Sequence, residues 1–219
     1  MRTAKTVLTV IQERGKQKKP IERVYKLLFN RELYLNAYAK LYPNNGAMTK
    51  GVTNETVDGM SIQKIDRMIE ILREEKYQWK PARREYIKKK NGKKRPLGIP
   101  VWGDKVLQEV MRQILEAYYE PQFSEHSHGF RPNRGCHTAL QEIQVWKGTR
   151  WFIEGDISQY FDTIDHKILL EILARNIHDG RFIRLVSNML EAGYLEEWKF
   201  KQTISGVPQG GVISPILAN

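Results

Sequence analysis

The sequence predicts an α+β fold, and three observations carry that prediction. Apolar residues recur at three- and four-residue steps over several long stretches, the period of an amphipathic helix. PARREYIKKKNGKKRPLGIP, residues 81–100, reads as strand, turn, strand around Asn91-Gly92. WFIEGDISQYFD, residues 151–162, opens with an apolar and aromatic run of strand composition that stops at Gly155-Asp156.

Taken in order, residues 1–20 are polar and basic and end in Gly15, Lys16, Lys18, Lys19 and Pro20, which predicts a loose arm or a short helix before a linker. Ile21, Val24, Leu28, Leu35, Tyr38 and Leu41 keep helical spacing, and Tyr42-Pro43-Asn44-Asn45-Gly46 ends that helix. After a Gly/Thr/Asn loop, Ser61 can cap a second helix carrying Ile65, Ile69 and Leu72, which stops before Lys80-Pro81. In the hairpin, a three-residue loop Lys90-Asn91-Gly92 pairs Lys89 with Lys93 and Ile87 with Arg95. Alternation then puts Arg83, Ile87, Lys89 and Arg95 on one face.

Asp104 can cap a helix from about Lys105 to Tyr119, with Val106, Leu107, Val110, Met111, Ile114 and Leu115 on its apolar face. HSHGFRPNRG, residues 126–135, is a loop, and a helix from about Cys136 to Trp146 leads into the Asp156 strand. His166 to Ile177 reads as a helix with Ile168, Leu169, Ile172 and Leu173 inward. Asp179-Gly180 breaks it, and another helix runs from Phe182 to Ala192. Glu197 to Ile204 reads as a strand. Ser214-Pro215 is a helix start, and a helix only a few residues long is not stable alone, so the chain reads as the front part of a longer protein.

Charge is distributed unevenly. Residues 1–100 hold 24 Lys+Arg against 10 Asp+Glu, whereas residues 101–219 hold 12 against 15, for a net charge of +11. A basic half beside a slightly acidic one suits a polyanion held near a metal-binding centre. The lone Cys136 excludes an internal disulfide. No apolar run approaches the ~20 residues of a membrane span, and no secretory signal opens the chain.

Two clusters carry candidate chemistry. Lys80 to Arg95 contains nine Lys/Arg and one acid, Glu85. Like charges along a hairpin repel, so a phosphate chain or a nucleotide triphosphate explains them; an edge hairpin kept soluble by lysines is the alternative. Asp156, Asp162 and Asp165 follow the 151–155 strand, and a carboxylate at a strand end is a ligand for a hard divalent cation. A turn or cap role is the alternative there. His126 and His128 lack a cysteine or carboxylate at ligand spacing and read as loop residues.

KKRPLGIP, HGFRPNRG, EGDISQYFDTIDH and GVPQGGVISPILAN stand in this order. Together they resemble the reverse transcriptase domain of group II intron-encoded proteins, the bacterial maturases, over roughly residues 20–219. That resemblance implies a right-hand polymerase fold. It divides the chain into 1–102, N-terminal extension and fingers, and 103–219, first part of the palm, with 168–203 as a segment that can return to the fingers. It implies RNA-directed DNA synthesis with two Mg2+ ions, an RNA template with a DNA primer, dNTP, and group II intron RNA as partners, in a nucleoprotein particle of the bacterial cytoplasm.

By the same resemblance Asp156 matches the first catalytic aspartate and Ile157 a residue whose carbonyl contacts a metal. Phe161 matches the aromatic that excludes a ribose 2′-hydroxyl. Lys89 and Arg95 match the triphosphate grip, Arg83 a template or nucleotide contact, and Gln209 a residue beside the nucleotide pocket. Lys88, Lys90, Lys93, Lys94, Arg131 and Arg134 are the RNA-binding candidates. The family's second and third aspartates, in a Tyr-x-Asp-Asp turn, have no counterpart in this sequence, so the chain alone is expected not to extend a primer. Two other readings stay open: a non-catalytic RNA-binding splicing factor that keeps the fold, and a metal nuclease using Asp156, Asp162 and Asp165. Apolar surface left open by an incomplete palm also leaves room for a homodimer.

Overall fold

The computed structural model describes residues 2–88, 92, 94–207 and 210–219. Its centre is helix α4, Trp102–Tyr119, whose Val106, Leu107, Val110, Met111, Ile114 and Leu115 are buried. Helices α1 (Ala4–Lys16) and α2 (Arg31–Leu41) pack against it. The basic front end is therefore a capped helix, with Thr3 accepting from the Thr6 amide, and not a loose arm. The long helix expected from Ile21 to Leu41 is divided. Ile21–Glu22 forms a short strand β1, Arg23 takes a left-handed conformation, Val24–Phe29 is a 3-10 turn, and the Asn30 side chain caps α2. An Asn cap satisfies amide donors that a continuous helix would have used internally.

Ser61 caps α3, Ile62–Arg73, as expected, and Ile65, Ile69 and Leu72 are buried. The hairpin forms from β2, Ala82–Lys88, and β3, Lys94–Ile99, with Ile87 opposite Arg95 and Lys88 opposite Lys94. Asp104 does not cap α4; the helix starts two residues earlier, behind Val101. The Asp104 carboxylate is instead buried and accepts from the Tyr77 hydroxyl at 2.6 Å and the Lys80 amide at 3.0 Å. Burial raises its pKa to about 6.

Beyond α4 come α5 (Cys136–Gln144), the single turn α6 (Tyr160–Thr163), and α7 (His166–Asn176) capped by Asp165. Leu169 and Leu173 of α7 are buried as expected, and Leu170 packs beside them, so the inward stripe lies on the 169/170/173 side and Ile168 and Ile172 are exposed. A short strand β4, Ile177–His178, pairs in parallel with β1, and Asp179 caps α8, Gly180–Leu190. The expected strand 197–204 is half of a hairpin, β5 (Tyr194–Glu196) and β6 (Lys199–Lys201), turning at Glu197-Trp198. β5 lies parallel to β2, so β3-β2-β5-β6 is one four-stranded sheet. The final helix α9 covers Ser214–Ala218, with Pro215 in its first turn.

The strand expected to carry Asp156 is absent. Residues 151–157 have no regular structure, and Trp151 and Ile153 are 87% and 95% exposed. A strand is held by ladder hydrogen bonds to a neighbour, and among the described residues no strand pairs with this segment.

Candidate nucleotide and metal site

The site is assembled by the described residues of the GVPQGG stretch between β6 and α9, Gly206, Val207, Gly210 and Gly211. Its first end grips the Phe161 turn. The Gly206 amide donates to the Ile164 carbonyl and the Val207 amide to the Phe161 carbonyl, each at 2.8 Å, and His166 Nε2 donates to the Gly206 carbonyl at 2.7 Å. Gly206 has φ +84°, and a Cβ there would stand 2.7 Å from the Phe161 carbonyl oxygen. The loop's other end lies against β3. Gly210 has φ +101°, and a Cβ would meet Leu97 Cδ1 at 2.6 Å and the Gly98 carbonyl oxygen at 2.8 Å. A side chain at either position would force the loop away from its neighbour. The Val212 amide donates to Gln108 of α4 at 2.9 Å, which anchors the loop to the core.

The hairpin therefore presents one face toward this loop. Register places Arg83, Ile87 and Arg95 together on it, matching the sequence reading. Arg95 is exposed. Arg83 is held by its own chain: Nε donates to the Lys50 carbonyl at 3.1 Å, and the guanidinium pairs with Glu85. Beside it Lys105 donates to the Gly46 and Thr49 carbonyls at 3.2 and 3.0 Å, and burial lowers its pKa, with Arg83 adding to the effect. Sequence reading missed Lys105 and Gln108. Both sit within the amphipathic α4 pattern, where only neighbouring apolar positions signal burial. Lys89, Lys90, Lys93 and Gln209 lie outside the described residues. Lys88 and Lys94 are exposed and stand on the opposite face of the hairpin from Arg95.

Phe161 is half-buried in α6, edge-on to Phe130 with ring centroids 6.3 Å apart. Gln159, left-handed at φ 54°, turns the chain into that helix. Asp156 and Ile157, upstream, are exposed. An exposed carboxylate is a sound oxygen ligand, but one carboxylate does not make a magnesium site. Among the described residues no group of three or more Asp, Glu, His or Cys could hold a metal ion. The chain thus fits the expected metal pair only in part. Asp165 caps α7 and Asp162 lies in the Phe161 turn, so neither gathers with Asp156 into the cluster a metal nuclease would need.

The HGFRPNRG loop corrects a further expectation. Arg131 is buried, and its three guanidinium nitrogens donate to the Glu120 carboxylate and to the Ser124 and Ser127 carbonyls. A guanidinium so engaged braces its own loop and is not available to a phosphate. Arg134 keeps a more open position and donates to the Glu125 carbonyl. His126 and His128 do have a carboxylate partner: Glu142, one helix later, bonds to both, His128 Nε2 at 2.8 Å. Spacing in sequence could not reveal it, since the loop folds back onto α5.

Residues 87–219 match the reverse transcriptase (RNA-dependent DNA polymerase) family. The chain belongs to that family, with its α+β reverse transcriptase domain fold. It is 50% identical over 199 residues to the group II intron-encoded protein LtrA of Lactococcus lactis subsp. cremoris, covering 90% of this chain and 33% of that protein. An uncharacterized 91 kDa protein in the cob intron of Schizosaccharomyces pombe is 47% identical over 99% of this chain and 28% of its own length. Among solved structures, the partial Cas6-RT-Cas1–Cas2 complex matches with a TM-score of 0.58 at 19% identity, over 89% of this chain and 33% of that one. The chain thus spans about a third of the length of its Lactococcus relative. Metal dependence and nucleic-acid partners are general properties of the family. Among the described residues no helix is long and apolar enough to cross a membrane.

Proposed function

We propose that this chain is the fingers and first part of the palm of a group II intron reverse transcriptase and maturase, divided near residue 102. In the longer protein it binds group II intron RNA and copies an RNA template into DNA from a DNA primer and dNTP. Arg95, with Lys89, holds the triphosphate. Phe161 and Gln209 flank the incoming sugar and base, and Asp156, with the Ile157 carbonyl, contributes to holding two Mg2+ ions. When bound, such ions activate the attacking 3′-oxygen and neutralise the leaving pyrophosphate. The chain's own groups bind and orient: a cation row for the phosphates, an aromatic edge at the sugar, and a glycine loop that lets backbone approach. A cytoplasmic nucleoprotein particle is the setting that fits this reading.

One observation carries it: a single glycine loop touches both the Phe161 turn, five residues past Asp156, and strand β3, which bears Arg95. Contact of one stretch with both elements supports a site in which a triphosphate is gripped from one side and reacted at the other. The test is primer extension by the longer protein. Asp156→Ala is expected to abolish dNTP incorporation while intron RNA binding persists, and Arg95→Ala to raise KM for dNTP at least tenfold. Full incorporation by Asp156→Ala would refute the reading. A longer protein that promotes splicing but incorporates no dNTP, with Asp156→Ala leaving splicing unchanged, would favour the non-catalytic splicing factor. The exposed Trp151 and Ile153 favour a second copy of the chain as a cover for this segment, and sedimentation of the 219-residue chain checks it.

A further inference from the structure

Phe130 stands in a backbone conformation that its side chain disfavours. Its φ is 55°, in the left-handed region that suits glycine, asparagine and aspartate and is an outlier for a bulky residue. Trp198 is the other aromatic so placed among the described residues, and it occupies the tip of the β5–β6 hairpin. Gly129, which could adopt the conformation freely, stands one position too early and does not adopt it. The Phe130 ring gains little from burial in return, being 72% exposed. A strained residue persists where the structure around it over-determines it, and such residues cluster at functional sites.

The loop is anchored on both sides of Phe130. On one side His128 is held at each ring nitrogen. Nδ1 bonds to the Thr138 hydroxyl at 2.8 Å, and Nε2 donates to the Glu142 carboxylate at 2.8 Å, which ties the loop to α5. Both bonds survive deprotonation of an imidazolium, because the Thr138 hydroxyl can then donate to Nδ1. On the other side stands the buried Arg131, held by Glu120, Ser124 and Ser127. What the two anchors present between them is the Phe130 ring, edge-on to Phe161 at 88° with centroids 6.3 Å apart. Phe161 sits on the four-residue helix α6, and the Val207 amide fixes its carbonyl but not its ring. Its other ring contact, with Tyr160 at 5.9 Å, comes from the same short helix and moves with it.

We infer that Phe130 is a positioning residue. It holds the Phe161 ring in place from outside α6, and so sets how sharply the chain distinguishes deoxyribose from ribose in the incoming nucleotide. A displacement of about 1 Å at a positioned group can cost on the order of a hundredfold in rate, so a ring on a one-turn helix needs such a support. An edge-on aromatic contact biases a ring's position by about three- to tenfold. The inference rests on the proposed place of Phe161 beside the incoming sugar and adds to it the support that keeps the ring there.

The experiment is single-nucleotide primer extension by the longer protein, with kcat/KM measured for dCTP and for CTP and their ratio as the readout. Phe130→Ala should lower that ratio about three- to tenfold, and Phe130→Tyr, which keeps the ring, should restore it. Phe130→Gly gives the sharpest contrast. Glycine suits the left-handed position, so the urea midpoint should hold or rise while the ratio falls as in Phe130→Ala. A merely structural Phe130 predicts the reverse, a lower midpoint and an unchanged ratio. His128→Ala should lower the ratio too, and combined with Phe130→Ala should add nothing, because both act through one ring. Phe161→Ala marks the loss that removal of the sugar contact itself produces. Should Phe130→Ala fail to fold, Phe130→Gly and His128→Ala carry the test. A ratio unchanged in Phe130→Ala and Phe130→Gly, beside a fall in Phe161→Ala, overturns the inference and leaves the proposed function standing. So does a fall that Phe130→Tyr does not reverse. A wild type that incorporates neither nucleotide overturns the proposed function and the inference with it.

Discussion

Helix α4 and the segment from Cys136 to Ile157 are both rich in apolar residues, yet they meet opposite fates. In α4 the apolar stripe is buried under α1 and α2, and Leu107 is 0% exposed. Helix α5 buries none of its residues, and Trp151, Phe152 and Ile153 face solvent. Composition does not separate the two regions. What separates them is the presence of a partner surface, because an apolar face contributes stability only when something covers it.

The largest expected effect follows directly. Leu107→Ala should lower unfolding stability by about 3 kcal/mol, the range for a large-to-small change at a fully buried leucine. Ile153→Ala should change it by less than about 0.5 kcal/mol, as surface substitutions do. Urea unfolding followed by circular dichroism compares the two. Equal losses would mean that the 151–157 segment is packed in solution, and the contrast between the regions would fail.

The same contrast explains what could be read from sequence. Over the described strands the hairpin register was legible, with Ile87 opposite Arg95 as expected, because an Asn-Gly pair between two alternating runs is a strong local signal; the expected Lys90-Asn91-Gly92 turn and the Lys89–Lys93 pair lie outside the described residues. Ser61, Asp165 and the α4 stripe were legible for similar local reasons. The Asp156 strand was not, since a strand depends on a neighbour that local composition cannot report. Arg131 and Asp104 mislead in another way: each carries the right chemistry for a surface role, a phosphate contact or a cap, but long-range folding encloses it. The Glu142 partner of His126 and His128 was invisible for the same reason.

Arg131 sharpens the comparison inside the open half. It is the one position in the HGFRPNRG loop with a buried charged side chain, braced by Glu120. Arg131→Ala should cost about 2 kcal/mol, since it strands the Glu120 carboxylate and two carbonyls. Arg134→Ala should leave stability within about 0.5 kcal/mol. In RNA binding the order should reverse at temperatures where both variants are folded: Arg134→Ala lowers the salt slope and Arg131→Ala does not. A lowered slope in Arg131→Ala would restore Arg131 as a phosphate contact.

The smallest expected effect separates the regions by the sign of a titration. Asp104, in the packed half, has its pKa raised by burial to about 6. Its folded form holds the proton more tightly than the unfolded chain does, so the charged carboxylate opposes folding above pH 6, and stability is gained as pH falls from 7 toward 4. Glu142, in the open half, has its pKa lowered by hydrogen bonds from His128 and His126. Its contribution has the opposite sign, present above the ordinary glutamate range and lost as pH falls through it. Between pH 7 and pH 5 the Asp104 contribution amounts to about 1 kcal/mol. Asp104→Asn keeps an acceptor for the Tyr77 hydroxyl or the Lys80 amide but cannot titrate. The gap between wild type and Asp104→Asn in urea midpoint should therefore shift in favour of wild type as pH is lowered over that window. Curves that stay parallel would mean that Asp104 is ionised at no cost, and that the packed half is wetter around Tyr77 than its geometry requires.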